Sequence, residues 1–175
     1  NTIATAAAAG LPASVGALGI NNGPAATQGG VDSVVYNGTS ENDIFTVSNE
    51  GVTLISAAWA GPNTPPVLFG SAANTSTVNI VINAGNGDDR INMVSATAGT
   101  ETYDLNGGNP SSGSDTVALV DPAAIGGAPA LVQFVTIAPD LVDPTQQDIF
   151  GYSTNPLPID VTGIELITYT AAPGA

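Results

Sequence analysis

Carboxylates and hydroxyls are the groups in this chain that could do acid–base or metal chemistry. There are fifteen Asp and Glu, one Arg, no Lys, no His and no Cys, for a formal net charge of −14. Within such a chain a zinc site, a thiol nucleophile and a histidine-based triad are excluded. Carboxylates favour hard cations, Ca²⁺ first among them. A single Arg cannot neutralise a phosphate backbone, which excludes nucleic acid as a partner. An anionic membrane surface would repel the chain for the same reason. Three of the acids share a setting. Asp43, Asp89 and Asp115 each follow a turn rich in Gly, Asn or Ser, and each stands two residues before a large apolar residue, Phe45, Ile91 and Val117.

The elements that position these acids are read from texture. A length of 175 residues with 43% hydrophobic and 9% charged residues suits one domain with a substantial core. Residues 1–30 are an uncharged stretch of Ala, Gly, Asn and Thr, expected as a low-complexity arm or N-terminal cap with a short helix at 3–9. Pro12 and three Gly interrupt the small apolar residues 3–20, so no membrane insertion is expected there. The chain begins at Asn1 without a basic leader and is expected to be a mature or excised segment. Residues 31–120 read as short β-branched and aromatic runs such as DIFTV, TVNIVIN and ETYDL, separated by turns. Residues 121–175 keep strand texture, but Pro139, Pro144, Pro156 and Pro158 predict an irregular β C-terminal part or cap.

Within 31–120 a 23-residue spacing recurs. Tyr36, Trp59, Ile82 and Leu105 form one apolar column, and Val34, Ala57, Ile80 and Tyr103 form another two positions earlier. Phe45, Leu68 and Ile91 make a third, which resumes at Val117 after a three-residue insertion near 109–112. Asn37, Asn83 and Asn106 mark the turn, with Ala60 in the vacant slot. The i, i+2 relation places the first two columns on one strand face. The predicted fold is all-β, a right-handed parallel β-solenoid with coils of about 23 residues. Trp59, Tyr36 and Tyr103 are then core residues. Asp89 and Asp115 fall on adjacent coils and could share an ion, whereas Asp43 lies two coils from Asp89.

Residues 84–92, AGNGDDRIN, match the nonapeptide Gly-Gly-x-Gly-x-Asp-x-U-x (U large and apolar) at Gly85, Gly87, Asp89 and Ile91. Residues 38–46, GTSENDIFT, match at Gly38, Asp43 and Phe45. Gly107, Gly108, Gly113, Asp115 and Val117 match across the insertion, and TQQDIFGYS (145–153) echoes SENDIFTVS (40–48) around Asp148. On these motifs the chain resembles the calcium-binding RTX-type β-roll and parallel β-helix repeats of bacterial secreted and surface proteins. That resemblance implies Ca²⁺ as cofactor, with carboxylate ligands from Asp43, Asp89 and Asp115. It implies backbone ligands at Gly38, Gly85, Gly87, Gly107, Gly108 and Gly113. The motif occurs once per coil rather than every nine residues, and GPNTPP (61–66) replaces it in the second coil. Gly and Asp also shape turns without any metal. Asp88 reads as a spectator, and Arg90 as a partner for a neighbouring carboxylate.

The Gly87-Asp88-Asp89 run is similar to the paired carboxylates of pectin hydrolases. Adjacent strand residues point to opposite faces, however, and Arg90 alone would have to bind an acidic sugar. The expected role is therefore non-enzymatic: a structural module of a secreted or cell-surface assembly, whether filament, surface layer or adhesin. Its open strand edges would pair with further copies or other surface proteins. The alternative is a carbohydrate-binding or polysaccharide-degrading β-helix domain with a glycan ligand. Stacked turns would bring like charges together, at a cost that an external cation would relieve.

Overall fold

A computed structural model of the chain describes residues 2–6, 18–20, 32–48, 51–56, 67–69, 78–94, 102–110, 113–120, 135–152 and 158–171. These form strands β1 (Thr2–Ala6), β2 (Leu18–Ile20), β3 (Asp32–Asn37), β4 (Asp43–Ser48), β5 (Gly51–Ser56), β6 (Val67–Phe69) and β7 (Val78–Asn83). They continue as β8 (Arg90–Met93), β9 (Thr102–Asn106), β10 (Thr116–Val120), β11 (Thr136–Pro139), β12 (Gln146–Phe150), β13 (Ile159–Thr162) and β14 (Leu166–Thr170). The alternation of apolar and polar residues sets the faces. In β9, Tyr103 and Leu105 are buried while Thr102, Asp104 and Asn106 are partly exposed.

The strands make two seven-stranded sheets. The first runs β1-β3-β7-β9-β13-β12-β11 and the second β14-β10-β8-β4-β5-β6-β2. Four strand–turn–strand units, β3–β4, β7–β8, β9–β10 and β13–β14, each contribute one strand to each sheet. Their strands stack in parallel in the order given. Like residues therefore meet across strands. Val34, Ile80, Tyr103 and Ile159 form one buried column, and Tyr36, Ile82, Leu105 and Val161 form another. In the second sheet Phe45, Ile91 and Val117 stack and are fully buried, with Ile167 continuing the register. Residues of both sheets share one apolar core.

The all-β expectation holds, but a single parallel solenoid with consecutive 23-residue coils is not what forms. Tyr36 pairs directly with Ile82, and Phe45 directly with Ile91, with no coil between them. Trp59, Ala57 and Ala60 lie outside the described residues. Leu68 pairs with Gly51 and Gly19 instead of joining the Phe45 column. The reason is local. Ser48 pairs with Gly51, so only two residues join β4 to β5. A connection that short makes an antiparallel hairpin and cannot make a parallel crossover. Antiparallel pairs recur at β5–β6, β11–β12 and β12–β13, so both sheets are mixed.

Thr2–Ala6 is a strand paired in parallel with β3, where a helix over 3–9 was expected; residues 7–9 lie outside the described residues. A lone helical turn is marginal in water, whereas a sheet edge supplies partners for every second peptide group. In the C-terminal part, Asp140 closes the β11–β12 connection. Its Oδ1 accepts the N–H groups of Val142 and Asp143. Asp143 Oδ1 then accepts both the N–H and the hydroxyl of Thr145, at 2.9 and 2.6 Å. Tyr152 closes the other side of the hairpin: its hydroxyl lies within hydrogen-bond reach of the carbonyls of Met93 and Val120, at the ends of β8 and β10, and can donate to either. Among the described residues no helix is long and apolar enough to cross a membrane.

Candidate functional site

The turns that join the two sheets stack on one another, and their backbones interlock. Gly38 N–H donates to Asn83 O at 2.7 Å, Ala84 N–H to Asn106 O at 2.8 Å, and Gly107 N–H to Thr162 O at 3.0 Å. Asn83 Nδ2 donates to Asn37 Oδ1 at 3.0 Å, so two of the turn asparagines are joined through their side chains. Further out, Asn86 N–H reaches Thr39 O, Asn109 N–H reaches Gly85 O, and Gly87 N–H reaches Asn109 O.

This close approach explains the glycines. A Cβ on Gly108 would lie 1.9 Å from Gly85 O, and the residue has φ +94°. Gly85 has φ +109°, and its Cβ would lie 2.3 Å from Thr39 O. Both need the left-handed region and the missing side chain together. Gly113 serves differently, donating its N–H to Asp88 Oδ1 at 2.9 Å. Asp88 is thus a working part of the turn, since its own N–H also donates to Asn42 Oδ1 at 2.9 Å. Arg90 is exposed, and its Nε donates to Asn92 Oδ1 at 2.7 Å.

Beneath the turns runs a column of carboxylates. Asp89 Oδ1 accepts the backbone N–H of Asp43 at 2.7 Å, and Asp115 Oδ1 accepts that of Asp89 at 2.8 Å. Glu165 Oε2 accepts the N–H of Asp115 at 2.8 Å. At the opposite end the Asp43 carboxylate accepts the N–H and the hydroxyl of Thr39. Asp43, Asp89 and Asp115 are all buried, with 0%, 2% and 0% exposure. The expected separation of Asp43 from Asp89 by a whole coil is therefore wrong. The two are immediate neighbours because β4 pairs with β8.

Asp89 and Asp115 each spend one oxygen on the backbone of the neighbouring unit, whereas Asp43 spends both on Thr39 of its own turn. Asp89 Oδ2 and Asp115 Oδ2 are buried and have no hydrogen-bond partner. Burial pushes the Asp89 carboxyl up to about 6, helped by the like charges of Asp43, Asp115 and Asp88 and opposed by the hydrogen bond from Asp43. Burial raises Asp115 as well, with Glu165 and Asp88 adding to the effect and the Asp89 N–H opposing it. Among the described residues, no group of three or more acids is placed to hold one metal ion. The column is linear, with its members one strand apart. The two orphan oxygens are the groups in it open to a proton or a cation.

Two acid sets escaped the sequence reading. Glu165 occupies the fourth rung, two residues after Gly163, whereas the equivalent Gly38, Ala84 and Gly107 precede their Asp by five, five and eight residues. The second set lies on the outer face of the first sheet. Asp104 pairs with Asp160, and Asp160 with Asp148, across three neighbouring strands. Burial raises Asp160, and the charges of Asp148, Asp104 and Asp140 add to it. Matching Tyr-Asp-Leu (103–105) to Ile-Asp-Val (159–161) would have exposed this alignment. Asp148 itself is mid-strand in β12, so its echo of the Asp43 sequence is not an equivalent position.

No protein-family model, curated protein or solved structure matches the chain.

Proposed function

We propose that the chain is a non-enzymatic structural module of a secreted or cell-surface assembly, a subunit of a filament, surface layer or adhesin. The observation that supports this reading most is the use made of the carboxylates. Asp43, Asp89 and Asp115 are buried, and Asp89 and Asp115 each accept a backbone N–H of the neighbouring unit. A catalytic carboxylate must reach substrate. These instead join successive strand–turn–strand units along one axis.

Calcium fits this reading as a stabiliser. Asp89 and Asp115, through their free Oδ2 atoms, are the residues that would hold an ion, neutralising charge that burial otherwise makes costly. Thermal melts at neutral pH in calcium and in chelator test this part. A rise of several degrees in calcium is expected, lost in Asp89→Asn. An unchanged melting temperature would remove calcium from the account.

A further inference from the structure

The two sheets end unevenly. Relative to the four shared units, the first sheet has one strand beyond β3 and two beyond β13. The second has three beyond β4 and none beyond β14. One end of the molecule is thus stepped by two strands in the first sheet, and the other end by two strands in the second. The steps are complementary. A translated copy would set its β2 and β6 opposite β12 and β11, and its β1 next to β11.

Strand direction agrees. β12 is antiparallel to both β13 and β11, so β11 runs the same way as β13 and β1. By the same count through β5 and β6, β2 runs the same way as β14. Both new junctions would be parallel pairs, like those at the centre of each sheet.

Chemistry agrees too. The four terminal strands read TIATA, LGI, TIAP and LITYT, without one charge in a chain of net −14. Uncharged edges lack the charged side chains that commonly block pairing. The stepped end also leaves core-facing residues partly exposed. Ile137 shares a face with buried Ile149 yet is 47% exposed, and Tyr169 shares one with buried Leu119 yet is 39% exposed.

We propose that copies of this chain join head to tail, β2 of one copy pairing along β14 of the next and β1 along β11, so that both sheets continue through the joint. The proposal rests on the assembly reading and names its partner as a second copy.

The absence of cysteine makes the test clean. Gly19→Cys and Thr168→Cys together place one thiol at the middle of β2 and one at the middle of β14. Within one molecule these strands are six sheet positions apart, about 29 Å at the usual strand spacing, far beyond disulfide reach. Oxidation should give a ladder of dimer, trimer and longer species on a non-reducing gel, collapsing with reductant. Thr168→Cys alone should give no ladder, because successive Thr168 positions would lie a whole sheet apart. Thr168→Lys, at an exposed edge position, should keep the wild-type far-ultraviolet circular dichroism and sediment as monomer. Filaments by microscopy without a disulfide ladder would overturn this joint and leave the assembly reading standing. Neither ladder nor filaments would overturn both.

Discussion

Asp89 and Asp43 are 46 residues apart in sequence, yet a carboxylate oxygen of one accepts the backbone N–H of the other at 2.7 Å. This bond fixes the height of one turn above the next. Replacing Asp89 with Ala leaves a buried N–H without an acceptor and should cost about 1–3 kcal/mol. Asp89→Asn keeps an acceptor oxygen and removes the charge, so it should cost little or add stability at neutral pH. Chemical denaturation of the two variants separates them: equal losses would show that the hydrogen bond does not hold the turns.

Acidity should stabilise the chain over a defined window. The folded Asp89 holds its proton up to about pH 6, above its ordinary value, so the native state binds more protons than the unfolded one between about pH 4 and 6. Stability from this group falls as pH rises through that range. Asp115, Asp104 and Asp160 are raised and act in the same direction. In chelator the melting temperature should be several degrees higher at pH 5 than at pH 7, and Asp89→Asn should flatten the slope. A melting temperature that rises from pH 5 to 7 would contradict the stacked, cation-free column.

Gly108 and Gly38 set the tightest contacts between turns, and Gly108 adds a positive φ. An added methyl would meet Gly85 O at 1.9 Å on a backbone with φ +94°. Gly108→Ala should cost about 2–4 kcal/mol, and thermal unfolding should fall by about 5 °C or more. Gly113→Ala would meet only the Asp88 side chain, 2.9 Å away, which can rotate aside. Its loss should be clearly smaller.

The outer-face aspartates make an independent prediction. Asp160 stands directly between Asp104 and Asp148 on neighbouring strands. Like charges so placed repel, so Asp160→Asn should stabilise by about 0.5–1 kcal/mol, read as a rise in denaturation midpoint at neutral pH. A lowered midpoint would mean that these carboxylates are held by something attractive.

Much of the central architecture was legible. Periodicity found the Tyr36, Ile82 and Leu105 column, the Phe45, Ile91 and Val117 column and the turn asparagines, because stacked positions keep size and polarity. It misplaced Leu68, since a fixed spacing carries no information about strand direction and the two residues between Ser48 and Gly51 reverse the chain. Once that stretch is out of the stack, Asp43 falls against Asp89. Glu165 was invisible for a different reason: its longer side chain reaches the same N–H from a shorter turn, so neither residue type nor spacing matched.

The central claim is that this chain is a building block whose carboxylates serve stacking rather than catalysis. Electron microscopy of the purified protein, in calcium and in chelator, tests it most directly. The account predicts filaments or sheets in calcium, shortened or fewer in chelator. Discrete monomers under both conditions, together with tight glycan binding, would contradict it.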